Sequence, residues 1–548
     1  MSTTSDNATR PLTAPRERDQ SAGAHPAFRR TAARQSSAAR RRFKQSGTLR
    51  TIGEAVLLGV IVLMLINTWL VARFTIDSSS MAHTLLGPHV QIACPDCGFH
   101  FVAGIEGTAS DGRLAICPNC GQAGAQLSTA DTTAGNGVLV DKTAFAWRTP
   151  HRWEVAAFRT PQAASELSVK RVVGLPGERI ELIQGEVYVN GQIVRKTLAE
   201  RHALSTVVYD DRYRDQAASG PRCWQADPGS RWTTTDAGYD FRPADADGSP
   251  RRHGGTERGP NGEGRVKDDD DNTQGTEGHK SPAAVSDSSF IISHSSFPLT
   301  WLTYHHVRRD PVSGAAGESP IVDVCGYNQT LPVAELHPVR DLALSFQLTA
   351  AGQGTLYLKA NDGAHDFVVA LTADGAVELR QGEDVLAGAA SGKPLCAAAR
   401  SVELSLIDRS CLVAIDGVVL LDYPLASSES NAPGVSQPFA VASDGLSLQL
   451  TNVCIRRDVY YGQPLQPEDA SSQDTAARLA VVLASDEFYV LADNSPLGLD
   501  SRYAEFGPAV SAKLLVGKPF IAQGGSRAWP ARWWGIQVPA PCEIRYIR

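Results

Sequence analysis

Four cysteines carry the most explicit local chemistry in the chain. Cys94-Pro95-Asp96-Cys97 and Cys117-Pro118-Asn119-Cys120 form C-x2-C twice, with nineteen residues between the pairs. Two short knuckles at this spacing can present four thiolates to one tetrahedral ion, and Gly98 and Gly121 stand where each knuckle turns tightly. The expectation is a structural Zn2+ held by Cys94, Cys97, Cys117 and Cys120, whose binding would supply folding energy to so small a piece. In an oxidising compartment the same four thiols would pair as disulfides instead. The remaining six of the ten cysteines (Cys223, Cys325, Cys396, Cys411, Cys454 and Cys542) are scattered and give no pairing.

Three separated segments combine hydroxyls, cations and carboxylates. The first is Ile76-Asp77-Ser78-Ser79-Ser80-Met81-Ala82-His83-Thr84-Leu85. The second is Val169-Lys170-Arg171-Val172-Val173-Gly174-Leu175-Pro176-Gly177-Glu178. The third is Phe488-Tyr489-Val490-Leu491-Ala492-Asp493-Asn494-Ser495, with Asp500-Ser501-Arg502 shortly after it. Their order and content resemble bacterial type I signal peptidases, the leader peptidases of peptidase family S26. The resemblance covers roughly residues 50–93, 136–198 and 480–523, less than a third of the chain.

A serine hydroxyl is a weak nucleophile until a neighbouring base takes its proton. Lysine can be that base only when neutral, and burial in apolar surroundings favours its neutral form. Lys170 lies in a β-type run, where alternation puts Lys170 and Arg171 on opposite faces, one facing a dry interior while the other stays wet. The resemblance implies that Ser80 is the nucleophile and Lys170 the general base. It places the oxyanion at the Ser80 N–H and the Ser78 hydroxyl, donors aimed at the developing charge. It also makes Asp500 and Arg502, flanking Ser501, an ion pair that braces the site, with Asp493 and Asn494 as structural turn residues. No catalytic cofactor is implied.

The chain departs from the family pattern at identifiable positions. His83 stands where the family usually has proline, Ala492 replaces a glycine, and Ser495-Pro496 replaces an Arg-Asp pair. Gly498 falls where many members place a serine that bonds the lysine, which leaves Ser495, Ser501 or a water to position Lys170.

The elements around these residues follow from pattern and composition. A length of 548 residues suggests three or four domains. A 42% hydrophobic and 20% charged composition excludes a polytopic membrane protein, a fibrous protein or a wholly disordered chain. A net charge of −7 gives no reason to expect nucleic acid. Residues 1–50, with eleven Arg/Lys against three acids, read as a disordered basic tail. An uncharged run from Ala55 to Ala72 follows. Its eighteen residues would span roughly 27 Å as a helix, close to the hydrocarbon thickness of a bilayer. A transmembrane anchor over 51–74 is expected, with the N-terminus cytoplasmic by the positive-inside bias.

Beyond it the peptidase core is expected in three separated segments: 75–93 with the nucleophile, 136–200 with the general base, and 480–548 with the C-terminus. The zinc ribbon over 94–122 divides the first segment from the second, and a low-complexity linker is expected over 242–288. Turn signals about every ten residues across 296–456 suggest an inserted antiparallel β-sandwich, weakly similar to concanavalin/laminin-G-like sandwiches. The fold class is therefore mainly β: a signal-peptidase-like catalytic core behind one N-terminal transmembrane helix, carrying a zinc-ribbon insert and an inserted sandwich. The resemblance implies a membrane-bound serine endopeptidase on the exported side of the inner membrane. It also implies preproteins with cleavable signal peptides, membrane lipid and the secretion translocon as partners. The rival classes are a membrane-anchored scaffold with a decayed peptidase core, and a self-cleaving regulatory Ser/Lys protease.

Overall fold

The structure is a computed structural model that describes residues 50–105, 114–126, 132–163, 165–214, 223–243, 299–309, 315–329, 336–390, 393–426, 434–462, 480–524, 532–533, 536–537 and 544–547. The expected basic tail and the expected linker over 242–288 lie almost wholly outside the described residues. Two units are distinguished, Met1–Leu70 and Val71–Arg548. In the first, Arg50–Leu70 is a single 21-residue helix, long and apolar enough to cross a membrane by length and composition. Trp69 on it is 71% exposed. An exposed helix of apolar residues is unfavourable in water and suited to lipid.

The second unit is built of antiparallel sheets. One sheet runs in the order Val71–Thr75, Gly137–Asp141, Leu515–Gln523, Val155–Arg159, Leu167–Gly174, Glu487–Leu491 and Val510–Ser511. Strands from before residue 175 thus interleave with strands from after residue 486, so the sheet closes only when distant stretches of the chain meet. A smaller sheet repeats this pattern, pairing Arg179–Ile183 with both Glu186–Val189 and Val481–Val482. Its hairpin turns at Gln184-Gly185 and Asn190-Gly191 place all four residues at positive φ, the geometry that matches the twist of two-residue hairpins.

Between these halves the chain forms the sandwich. Two long strands, Leu342–Asn361 and Phe439–Arg457, pair along most of their length, with irregularities at Ser345/Gln347 and Gly352/Thr355. Beyond the second irregularity Leu342–Asn361 changes partner, from Arg400–Ile407 to Asp366–Thr372. The two layers therefore share bent strands and enclose one apolar core containing Leu344, Leu356, Leu371, Val402 and Ile455. The sandwich extends further than the expected 296–456. Thr206–Asp210 and Gly238–Phe241 pair with Phe439–Arg457, and Trp224–Ala226 pairs with Leu302–Tyr304. These strands are only three to five residues long, too short to show a period, and aromatic packing fixes them: Trp224 and Tyr209 both lie 5.4 Å from Tyr304.

Candidate active site

The strand Leu167–Gly174 pairs with Val155–Arg159, setting Lys170 opposite Ala156. Lys170 is 5% exposed. Its Nζ lies 2.6 Å from Ser80 Oγ, joining residues 90 apart in sequence. Ser80 sits on a tight turn in which Ala82 N–H donates to Ser79 O at 3.0 Å and Leu85 N–H to Met81 O at 2.7 Å. Met81 and Leu85 anchor that turn in an apolar cluster with Ile76, Val138, Val140 and Val155. Ser78 Oγ lies 3.2 Å from Ser80 Oγ, so two hydroxyls converge beside Lys170. A nucleophile within hydrogen-bond reach of a buried amine is the arrangement that proton abstraction from serine requires.

Arg171 does point away from Lys170, but it is dry rather than wet. It is 2% exposed, and its guanidinium grips Asp493 through two bonds of 2.7 and 2.6 Å. A third bond goes to Trp153 O at 2.5 Å. Asp493 also accepts from Thr84 Oγ1. Burial alone would raise the Asp493 carboxyl, but the Arg171 guanidinium outweighs it and holds the group below its ordinary value. Strand alternation sets which face a side chain takes; a partner from elsewhere in the chain decides whether that face is wet. Asp493 therefore does more than shape a turn, since it ties the nucleophile segment, through Thr84, to the strand that carries Lys170.

Asp500 and Arg502 form a bidentate pair at 2.8 Å in each bond, both almost fully buried. Asp500 also accepts from Ala492 N–H at 2.8 Å. Arg502 donates to Ser495 Oγ at 2.7 Å, and Ser501 Oγ accepts from Val490 N–H at 3.1 Å. The hydroxyls suggested as substitutes for the missing serine thus bond elsewhere. Gly498 has a steric reason. A Cβ built there would stand 2.0 Å from the Ala492 Cβ, so the methyl gained at 492 excludes a side chain at 498. The two departures from the family pattern are one exchange of volume. His83 lies against this region, its ring nitrogens 3.2 and 3.3 Å from Thr206 Oγ1. Burial pushes its pKa down to about 4, with Asp493 opposing and Arg457 adding to the drop. A cleft lined by Gln184, Asp341, Arg409 and Tyr460 among others contains neither Ser80 nor Lys170 and is not assigned to catalysis.

The four cysteines converge. Cys94 and Cys120 sulfurs lie 3.6 Å apart, as do those of Cys97 and Cys117, and all four lie within 4.8 Å of one another. A disulfide bond is about 2.05 Å, so these are thiols rather than disulfides. A tetrahedral ion with metal–sulfur bonds of about 2.3 Å would separate its sulfurs by about 3.8 Å, so the donor set fits a structural zinc. Both knuckles use the same turn, with Gly98 N–H on Cys94 O at 3.0 Å and Gly121 N–H on Cys117 O at 2.8 Å, each glycine at positive φ. The hydrogen bonds of Cys117 and Cys120 pull the Cys97 thiol below its ordinary value.

Comparison with known proteins follows the same lines. Residues 125–231, roughly a fifth of the chain and including Lys170, match the family described as signal peptidase, peptidase S26. A Bacillus subtilis (strain 168) protein named signal peptidase I V is 40% identical over 60 residues, 11% of this chain and 34% of its own length. A Synechocystis protein named probable signal peptidase I-2 is 32% identical over 78 residues, 13% of this chain and 34% of its own. The chain thus spans about a third of these relatives' length, and the matches support a relationship to the signal peptidase family. Among solved structures, a carbohydrate binding module from Bacillus subtilis aligns at 13% identity over 22% of this chain and 76% of its own, with a TM-score of 0.17. That likeness is too slight to say what the sandwich does.

Proposed function

We propose that the chain is a membrane-bound serine endopeptidase of the signal peptidase type, with a Ser80/Lys170 dyad that removes signal peptides from exported preproteins. The single observation that carries this reading is the 2.6 Å contact between Lys170 Nζ and Ser80 Oγ in a buried setting. In the proposed cycle neutral Lys170 takes the Ser80 proton as Oγ attacks the scissile carbonyl. The Ser80 N–H and Ser78 hydroxyl hold the oxyanion. Lys170 then gives the proton to the leaving amine, and the acyl group stays on Ser80. Lys170 next activates a water that releases the product and restores the serine. Small side chains at positions −1 and −3 of the substrate are expected from the resemblance.

Arg171–Asp493 and Asp500–Arg502 position these groups without touching substrate. Cys94, Cys97, Cys117 and Cys120 would hold zinc in a purely structural role. Ser80 follows the apolar helix by only ten residues in sequence, and the excess of Arg and Lys before the helix supports an N-terminal side in the cytoplasm.

The test is cleavage of a separate preprotein by the purified full chain in detergent. Wild type should release a mature product, while Ser80→Ala and Lys170→Ala should release at least about 1000-fold less, as expected when a nucleophile or its base is lost. A wild-type chain that cuts no preprotein, or variants that cut normally, would sink the reading. Cleavage of the chain itself with the preprotein left whole would favour a self-processing regulator.

A further inference from the structure

The sandwich reaches the nucleophile turn directly. A short turn, Gly326–Asn328, carries Tyr327 and Asn328 against it. Cys325 and Tyr327 pack on Ala82, two residues from Ser80, and the Tyr327 hydroxyl donates to Pro88 O at 2.8 Å. The same turn also packs tightly on the strand His100–Gly104, where a Cβ on Gly326 would stand 2.6 Å from Val102 O. On its other side the segment is tied to the sandwich. Arg457 donates to Val324 O at 3.1 Å, and Asp323 accepts from His337 N–H at 2.8 Å.

Asn328 is 1% exposed and uses both ends of its amide. Oδ1 accepts from Cys325 N–H at 2.6 Å, while Nδ2 donates to Asp323 O at 3.2 Å and to Asn494 Oδ1 at 3.3 Å. Asn494 is itself 3% exposed. Its backbone N–H donates to Ser80 O at 2.9 Å, and its Nδ2 donates to Ser79 O at 3.1 Å. An asparagine amide can sit either way round, and the partner of its oxygen decides which. With Asn328 donating to Oδ1, Asn494 must aim Nδ2 at Ser79 O. With an acceptor in place of that donor, the amide would turn Nδ2 towards the new acceptor and its oxygen towards Ser79 O, where two acceptors would face each other.

We propose that Asn328 is a positioning residue for Ser80: through Asn494 it fixes the Ser79–Ser80 backbone against Lys170, so the sandwich completes the active site rather than hanging from it. The inference rests on the proposed peptidase reading. A small displacement of a nucleophile is costly, since about 1 Å can lower a rate about 100-fold.

Asn328→Asp tests it in the full chain, because the isosteric carboxylate keeps the acceptor for Cys325 and loses the donor to Asn494. The expected result is a kcat about 10- to 100-fold lower with KM within about 2-fold. The deficit relative to wild type should shrink as pH falls, because the protonated acid regains an O–H to donate. Gln329→Ala, which releases the neighbouring clamp on Ile116 without touching Asn494, should keep the wild-type kcat. Asn494→Asp is the second variant. It still accepts from Asn328 but cannot donate to Ser79 O, so it should lose kcat similarly if Asn328→Asp does not fold. Wild-type kcat in a folded Asn328→Asp or Asn494→Asp chain would overturn the inference while leaving the peptidase reading standing. So would equal losses in Gln329→Ala, or a deficit that does not change with pH. A wild-type chain that cleaves nothing overturns both.

Discussion

The sheet that carries Lys170 and the sandwich beside it are both antiparallel β with apolar cores, yet the buried charges clustered in the first and the large apolar cluster of the second hold together by different means. In the first, Lys170, Arg171, Asp493 and Asp500 are at most 5% exposed and meet an opposite charge or a hydroxyl in directed bonds, Asp500 through Arg502. In the second, the interior is a continuous apolar cluster in which Leu344, Leu356, Val402 and Ile455 are fully buried. Apolar packing is stabilising in proportion to area and tolerates adjustment. Buried ions depend on every partner being present, because an unmatched charge in a dry interior is strongly unfavourable. The surroundings of Lys170 are thus specific and brittle, and the apolar cluster of the sandwich robust, apart from the buried Lys196–Asp408 and Arg201–Ser405 contacts at its edge.

The largest expected effect comes from breaking the brittle half. Arg171→Ala or Asp493→Ala should destabilise the chain by about 3–5 kcal/mol and abolish preprotein cleavage, because each leaves a buried charge alone. Replacing both by apolar residues, as in Arg171→Met with Asp493→Leu, should restore most of the stability but not the cleavage, since Thr84 also loses its anchor. Leu344→Ala in the sandwich should cost about 2–5 kcal/mol while leaving kcat of the folded fraction unchanged. Denaturant titration read beside turnover separates these outcomes. If the Leu344 variant lost turnover and the charge variants did not, the contrast between the halves would be reversed.

The cysteine knuckles sharpen the contrast, because their order would come from a ligand rather than from area or paired charge. Metal analysis should find one zinc per chain, and a strong chelator should lower Tm and expose four reactive thiols; metal-free, unreactive sulfurs would mean disulfides. A smaller effect belongs to His83. Burial holds its folded pKa at about 4, below the ordinary 6.5, so the fold favours the neutral ring. The stability this contributes is complete above pH 6.5 and is lost as pH falls from 6.5 towards 4. His83→Gln should make the fall in this window shallower by up to one proton, about 1.4 kcal/mol per pH unit. His306, also pushed down to about 4 by burial, should maintain a residual slope.

How much was legible in the sequence follows the same division. The convergence of the four cysteines could be expected from their spacing, whereas Ser80 and Lys170 were singled out only through the resemblance of their segments, which lie 90 residues apart. Asp500 and Arg502 lie two residues apart, but their pairing was expected only through the resemblance, and their burial comes from the fold. The dryness of Arg171 was not readable, since its partner Asp493 lies 322 residues away and only the sheet brings them together. The exchange between Ala492 and Gly498 reads in the sequence as two separate departures, and only the competing Cβ positions join them. Asn328 belongs to no motif, and its bond to Asn494 spans 166 residues. The short aromatic strands from Thr206 to Phe241 escaped periodicity altogether, because three to five residues cannot show one.

The central claim is that Lys170 activates Ser80. The full chain in detergent can be treated with a serine-directed acylating reagent and followed by intact mass, with the adduct mapped by peptide sequencing. Wild type should gain one adduct, on Ser80, faster as pH rises and more lysine becomes neutral, and Lys170→Met should acquire none on the same timescale. An adduct elsewhere, or labelling of Ser80 in Lys170→Met at the wild-type rate, would contradict the account.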